Sequence, residues 1–90
     1  MDGLIGRINM NTKELILDSL IDDDEAFTQI VEYFNLAAEI NISPVEIKTL
    51  LEEMVDEGYI SINYSWKNEH DEYPYSLTEK GKNAWKEIKE

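Results

Sequence analysis

The feature that most restricts what this chain can fold into is a change of hydrophobic period at Gly58. Before it, Ile47, Leu50, Leu51, Met54 and Val55 recur at three- and four-residue intervals, the spacing that lines one face of an α-helix. After it, Ile60, Ile62, Tyr64 and Trp66 alternate with Tyr59, Ser61, Asn63 and Ser65, the spacing of a strand. The helix also has a marked start. Ser43-Pro44-Val45-Glu46 joins an N-cap residue, a proline at the first helical position and an acid three residues after the cap. Gly58 supplies the left-handed residue that ends the helix. A helix over residues 43–57 that exits directly into a strand leaves few architectures open.

The flanking sequence completes the pattern. Asn11 or Thr12 caps a first helix, Asn11 and Glu14 having capping-box spacing, with Leu15, Ile16, Leu20 and Ile21 as its apolar stripe. Asp22, Asp23 and Asp24 oppose the negative end of that helix's dipole and suit the start of another. Phe27, Ile30, Val31, Phe34 and Ala38 then mark one face of a second helix over residues 25–40, with a break expected near Asn35. Residues 67–72 are polar and turn-like, and Tyr73, Tyr75 and Leu77 alternate again, so the two alternating runs pair as a hairpin. Pro74 cannot donate to a ladder, which suits an edge. Thr78 caps a final helix that turns Ala84, Trp85 and Ile88 inward. At 90 residues, 42% of them hydrophobic and with no Gly/Ser-rich linker, the chain carries one core. The expected domain spans residues 1–90, with 1–11 an irregular start. The expected fold class is α+β and mostly helical: a three-helix body, a C-terminal β-hairpin and a final helix.

Two segments, LAAEINISPVEIKTLLEEMVDEGYI (residues 36–60) and YSLTEKGKNAWKEI (residues 75–88), carry a resemblance. The first is similar to a helix-turn-helix with its glycine exit, the second to the strand and helix that close the far side of a wing. Together they resemble the winged helix-turn-helix superfamily common among bacterial and archaeal transcription regulators. The resemblance implies that helix 43–57 holds the recognition position and residues 64–75 the wing, which in DNA-binding members reach the major groove and the flanking backbone. It also implies a homodimer paired through terminal helices. Residues 22–35 form a longer link before the helix-turn-helix than is usual, which implies an extended or additional helix.

Charge argues in another direction. The net charge is −12, from 20 acidic and 8 basic residues, and between residues 13 and 42 one lysine opposes eight acids. Nucleic-acid binding draws much of its affinity from cations that neutralise phosphates. Yet the solvent side of helix 43–57 offers Glu46, Lys48, Thr49, Glu52 and Glu53, with a single cation, and the hairpin tip sets Lys67 against Glu69, Asp71 and Glu72. Lys80, Lys82, Lys86 and Lys89 could touch phosphate, although cations late in a helix also suit its dipole. Tyr64, Trp66, Tyr73 and Tyr75 gather in the hairpin; most are expected to pack on the core, the rest forming an aromatic patch of the kind that binds protein. The sequence therefore favours a protein-interaction module meeting a basic or apolar partner. The alternatives are a DNA-binding transcriptional regulator and an acidic DNA-mimic inhibitor. The candidate contact residues are Glu46, Lys48, Thr49, Glu52, Glu53, Tyr64, Trp66, Lys67 and Tyr73.

Enzymatic chemistry finds no support in the residues. One histidine and no cysteine leave only hydroxyls and carboxylates, with no phosphate-cradling glycine loop, so no catalytic residue and no cofactor is expected. The acids at 22–25 lack the spaced ligands and glycine of a calcium loop, and Glu69-His70-Asp71-Glu72 is a run of adjacent residues rather than a converging set, so no metal is expected. The N-terminus has no sustained apolar stretch and no apolar run spans a bilayer, which fits a cytoplasmic location.

Overall fold

The structure, a computed structural model, describes residues 10–38 and 40–89. Residues 1–9 of the expected irregular start, and the side chain of Lys89, fall outside it. Helix α1, Thr12–Leu20, opens on the expected capping box: Asn11 Oδ1 accepts from the Glu14 amide and Glu14 Oε1 from the Asn11 amide, both at 2.9 Å. Its buried face is Leu15, Ile16, Leu17 and Leu20, so Leu17 joins the stripe and Ile21 becomes the half-buried C-cap.

Helix α2, Phe27–Glu32, starts two residues later than expected. The reason is that Glu25 is committed elsewhere: its amide donates to the Tyr75 carbonyl (3.2 Å) and its carbonyl accepts from the Tyr75 amide (2.8 Å), an isolated bridge on the outer side of the hairpin. The expected break at Asn35 is instead a loosening. The helix continues as a π turn, Tyr33–Ala37, in which the Ala38 amide reaches back to the Tyr33 carbonyl at 2.9 Å. The longer link at residues 22–35 is taken up by the Glu25 bridge, by α2 and by its extension into the π turn.

Helix α3, Pro44–Asp56, is capped by Ser43, whose Oγ accepts from the Glu46 amide at 3.1 Å, and it buries Ile47, Leu51 and Met54. Gly58, at φ 83°, provides the left-handed exit. Strands β1, Ile60–Ile62, and β2, Tyr75–Leu77, pair antiparallel with Ile60 opposite Leu77 and Ile62 opposite Tyr75. The alternating run to Trp66 thus outlasts the strand. Asn63 ends it, because its Oδ1 accepts from the Ser65 amide (2.9 Å) and hydroxyl (2.5 Å), a side-chain turn that diverts the backbone from the ladder. Pro74 precedes β2, fully buried, and its carbonyl accepts from the Asn63 amide at 2.8 Å.

Helix α4, Glu79–Lys89, is capped by Thr78, whose Oγ1 accepts from the Gly81 amide at 3.1 Å. Ala84, Trp85 and Ile88 pack inward as expected. The core lies where α1, α2, α3 and the hairpin meet, with Leu15, Ile16, Ile30, Phe34, Ile47, Leu51, Met54 and Ile60 essentially without solvent contact. Burying each such side chain contributes about 1.5–3 kcal/mol. Asp18 ties the helices together at its edge, accepting from the Tyr33 hydroxyl (2.7 Å) and the Trp85 indole N–H (3.2 Å).

Candidate functional site

The solvent face of α3 follows from its buried face. With Ile47, Leu51 and Met54 inward, Val45, Thr49, Glu52 and Asp56 fall at i, i+4, i+7 and i+11 on the opposite side, and all four are exposed. Val45 is 75% accessible at the N-terminal end of this stripe. Thr49 Oγ1 donates to the Val45 carbonyl at 3.1 Å, so its hydroxyl is turned to the backbone and its methyl to solvent.

The two edges of that stripe differ. On one, Glu46 turns toward its own cap, with Oε1 3.5 Å from the Ser43 hydroxyl. Further along the same edge Glu53 and Glu57 face Lys13 of α1, at 3.8 and 3.1 Å, and the hydrogen bond to Glu57 holds the lysine above its usual pKa. On the other edge Lys48 leans toward the hairpin, its Nζ 5.3 Å from the Phe27 ring centroid and 3.4 Å from the Tyr75 hydroxyl. Lys80, expected to serve the dipole of its own helix, caps α3 instead: its Nζ donates to the Glu57 carbonyl at 2.6 Å and lies 4.4 Å from the centroid of Tyr59. Two lysines therefore gather at the C-terminal end of α3, one facing acids that the sequence displays as free and the other bonded to a backbone carbonyl.

The hairpin tip is built by Asn68. Its Oδ1 accepts from the His70 and Glu72 amides, both at 2.9 Å, and Asp71 closes the turn at φ 61°. Glu72 then reaches the first turn of α2, where Oε1 accepts from the Thr28 amide at 3.3 Å and from Asn68 Nδ2 at 3.0 Å. Burial pushes the Glu72 carboxyl up, but the Asn68 and Thr28 hydrogen bonds outweigh it and hold it below the usual carboxylate range. Asp24, which the sequence suggests as the start of α2, fixes the hairpin base by accepting from Ser76 Oγ (2.6 Å) and Asn63 Nδ2 (2.9 Å).

Of the four hairpin aromatics only Tyr75 is buried; Tyr64, Trp66 and Tyr73 are 68%, 46% and 38% exposed, a larger share than the pattern suggests. They escape the core because the strand ends at Ile62. Tyr64 and Tyr73 meet edge to face at 4.9 Å, and Lys67 lies 4.9 Å from the Tyr73 centroid while pairing with Asp71 at 3.0 Å. Lys48, Tyr64 and Tyr73 line one cleft between α3 and the hairpin. The structure thus brings Lys48, Tyr64, Tyr73 and Lys67 together, sets Thr49 and Glu52 on the adjoining face of α3, and turns Glu46 and Glu53 aside. Val45 went unremarked in the sequence, although projecting α3 away from its core face would have found it. Among the described residues no three His, Cys, Asp or Glu side chains group as a metal site, and no helix is long and apolar enough to cross a membrane.

An exposed capped helix beside an aromatic hairpin, over a three-helix core, is the arrangement of a known family. Residues 14–90 match the model of the winged helix DNA-binding domain. The chain belongs to this family. Two solved structures share the winged helix fold: Bacillus subtilis PadR in complex with operator DNA, at a TM-score of 0.71 and 24% identity, and a PadR family transcription regulator from hypervirulent Clostridium difficile, at 0.75 and 22%. The matches cover 83% and 86% of this chain, and 43% and 81% of the other two. The winged helix thus spans less than half the length of the Bacillus chain. No curated protein matches it.

Proposed function

We propose that this winged helix binds duplex DNA as a transcription regulator, placing the N-terminal half of α3 in the major groove and the 64–73 hairpin on the neighbouring backbone. The observation that carries this reading is the family match over residues 14–90, which contains both α3 and the wing. It reverses the ranking that net charge suggested and sets DNA above a protein partner. The net charge of −12 does not depend on where the acids sit, but several of them are held in contacts within the fold. Glu53 and Glu57 face Lys13, Asp24 and Glu72 are occupied by hairpin contacts, and Asp18 accepts from Tyr33 and Trp85. The same placements argue against mimicry, which needs rows of uncommitted carboxylates.

Lys48 and Lys67 flank the reading face and are its natural phosphate contacts; the exposed Lys67–Asp71 pair costs little to break. Two such contacts per copy give a salt slope of about −2 in log K against log salt. A pair of copies would present two α3 helices to half-sites about one DNA turn apart, the assembly proposed here. The test is fluorescence anisotropy of labelled duplex DNA from ~50 mM salt upward, with light scattering for the stoichiometry. Salt-dependent affinity in roughly the micromolar range supports the proposal. Absence of binding at the lowest salt refutes it and returns the exposed Tyr64, Trp66 and Tyr73 patch to a protein partner.

A further inference from the structure

The DNA-binding proposal leaves open how so acidic a helix could read a base sequence, and the geometry points to an answer. We infer, resting on that proposal, that Glu52 is a specificity-determining residue that selects cytosine through its exocyclic amino group, and that Val45 and the Thr49 methyl select thymine methyl groups beside it.

Consider which groups of α3 are free to meet a base edge. Glu46 turns to its cap, Glu53 and Glu57 face Lys13, and Lys48 leans to the cleft against Phe27 and Tyr75. Val45 and Thr49 remain in the N-terminal half of the helix, the part that enters the groove in helix-turn-helix docking, with Glu52 about one turn further along the same exposed stripe. Each has a narrow chemistry. A carboxylate is an acceptor only, and the major-groove edges offer it a donor at the cytosine N4 or the adenine N6. Adenine also places the N7 acceptor next to its amino group, where it repels a carboxylate, so cytosine is the favoured match. Val45 has no polar group to offer. Thr49 already donates its hydroxyl hydrogen bond to the Val45 carbonyl at 3.1 Å, which leaves its methyl for contact. Two apolar groups one helical turn apart suit thymine methyls. A guanine has only acceptors toward the groove, so guanine opposite Glu52 sets lone pair against lone pair.

The experiment is selection of bound sequences from a randomised duplex library by the parent chain, Glu52→Gln and Glu53→Gln, followed by anisotropy on the recovered sites. Both substitutions lie on exposed positions, so folding is preserved. The parent is expected to recover a site with one fixed cytosine, and replacing it should weaken binding about tenfold. Glu52→Gln should move the preference at that base pair to adenine, since an amide offers both a donor and an acceptor to the adenine N6 and N7. Glu53→Gln should leave the recovered site unchanged. Uracil in place of the neighbouring thymines should weaken the parent several-fold and Val45→Ala or Thr49→Ser much less. Tight, sequence-selective binding whose preferences are the same in parent and Glu52→Gln overturns this inference while leaving the DNA-binding proposal intact. Recovery of no duplex by any of the three chains overturns both.

Discussion

Replacing Gly81 with alanine tests the packing on which the site depends. Gly81 sits in the first turn of α4 against the start of β1. A Cβ there would fall deep inside the van der Waals radius of the Tyr59 carbonyl oxygen, with the carbonyl carbon at 3.1 Å and Leu77 Cδ2 at 3.2 Å. The crowding atoms are backbone and cannot swing away. That same oxygen accepts from the Thr78 amide (3.1 Å) and Oγ1 (3.0 Å), so any shift of α4 strains both bonds. Overpacking costs about 1–3 kcal/mol and each weakened hydrogen bond up to about 1 kcal/mol, while alanine returns at most about 1 kcal/mol of helix propensity. The net expectation is a loss of about 2–3 kcal/mol, or a melting temperature lower by about 10–20 °C for a domain this small. Urea denaturation followed by far-UV circular dichroism should show the midpoint falling with the slope unchanged, and exposed Asn83→Ala as a control within about 0.5 kcal/mol of the parent. A Gly81→Ala midpoint at or above the parent's would refute the close approach of α4 to β1, because propensity alone would then be acting.

Asp18→Ala should cost about 2–4 kcal/mol in the same assay, since it removes the acceptor of the Tyr33 hydroxyl and the Trp85 indole, and Asp18→Asn should recover part of it; a loss below about 0.5 kcal/mol would contradict the link. Two acids should shift stability with pH in opposite senses. Burial, then Asp23, Asp24 and Glu32, raise Glu25 above 4.5, so its folded state binds protons more readily and stability falls as pH rises through the raised pKa. Glu25→Gln should therefore be more stable than the parent at pH 7, with the gain gone once the pH is below about 4.5. Glu72 is held below 4.5, so its contribution is present above that value and lost as pH falls through the depressed pKa. Glu72→Gln should be less stable at pH 7, the deficit closing in acid; urea midpoints between pH 3 and 7 showing equal deficits throughout would count against the Thr28 and Asn68 contacts.

What the sequence disclosed was local, and what it withheld was long-range. The Asn11 and Ser43 caps, the Gly58 exit and the Thr78 cap each depend on residues within four positions, and all four are present. Glu25 is different. Nothing beside it announces a bridge to Tyr75, fifty residues on, so helical period carried the reading of α2 two residues too far. The strand from Ile60 was overextended because alternation persists through Tyr64 and Trp66, while the Asn63 side-chain turn that ends it is a competing backbone partner that periodicity does not register. The site shows the same division. Helical spacing exposed Lys48, Thr49 and Glu52, whereas the pairing of Glu53 and Glu57 with Lys13 spans forty-odd residues, and no local spacing announces it.

The proposed DNA-facing surface is α3 together with the wing. Titrating unlabelled duplex into 15N-labelled protein and following backbone amide shifts tests it most directly. Perturbations are expected to concentrate on residues 45–52 and 64–73 and to fade as salt rises. Shifts centred instead on α4, around Lys82 and Lys86, would contradict it.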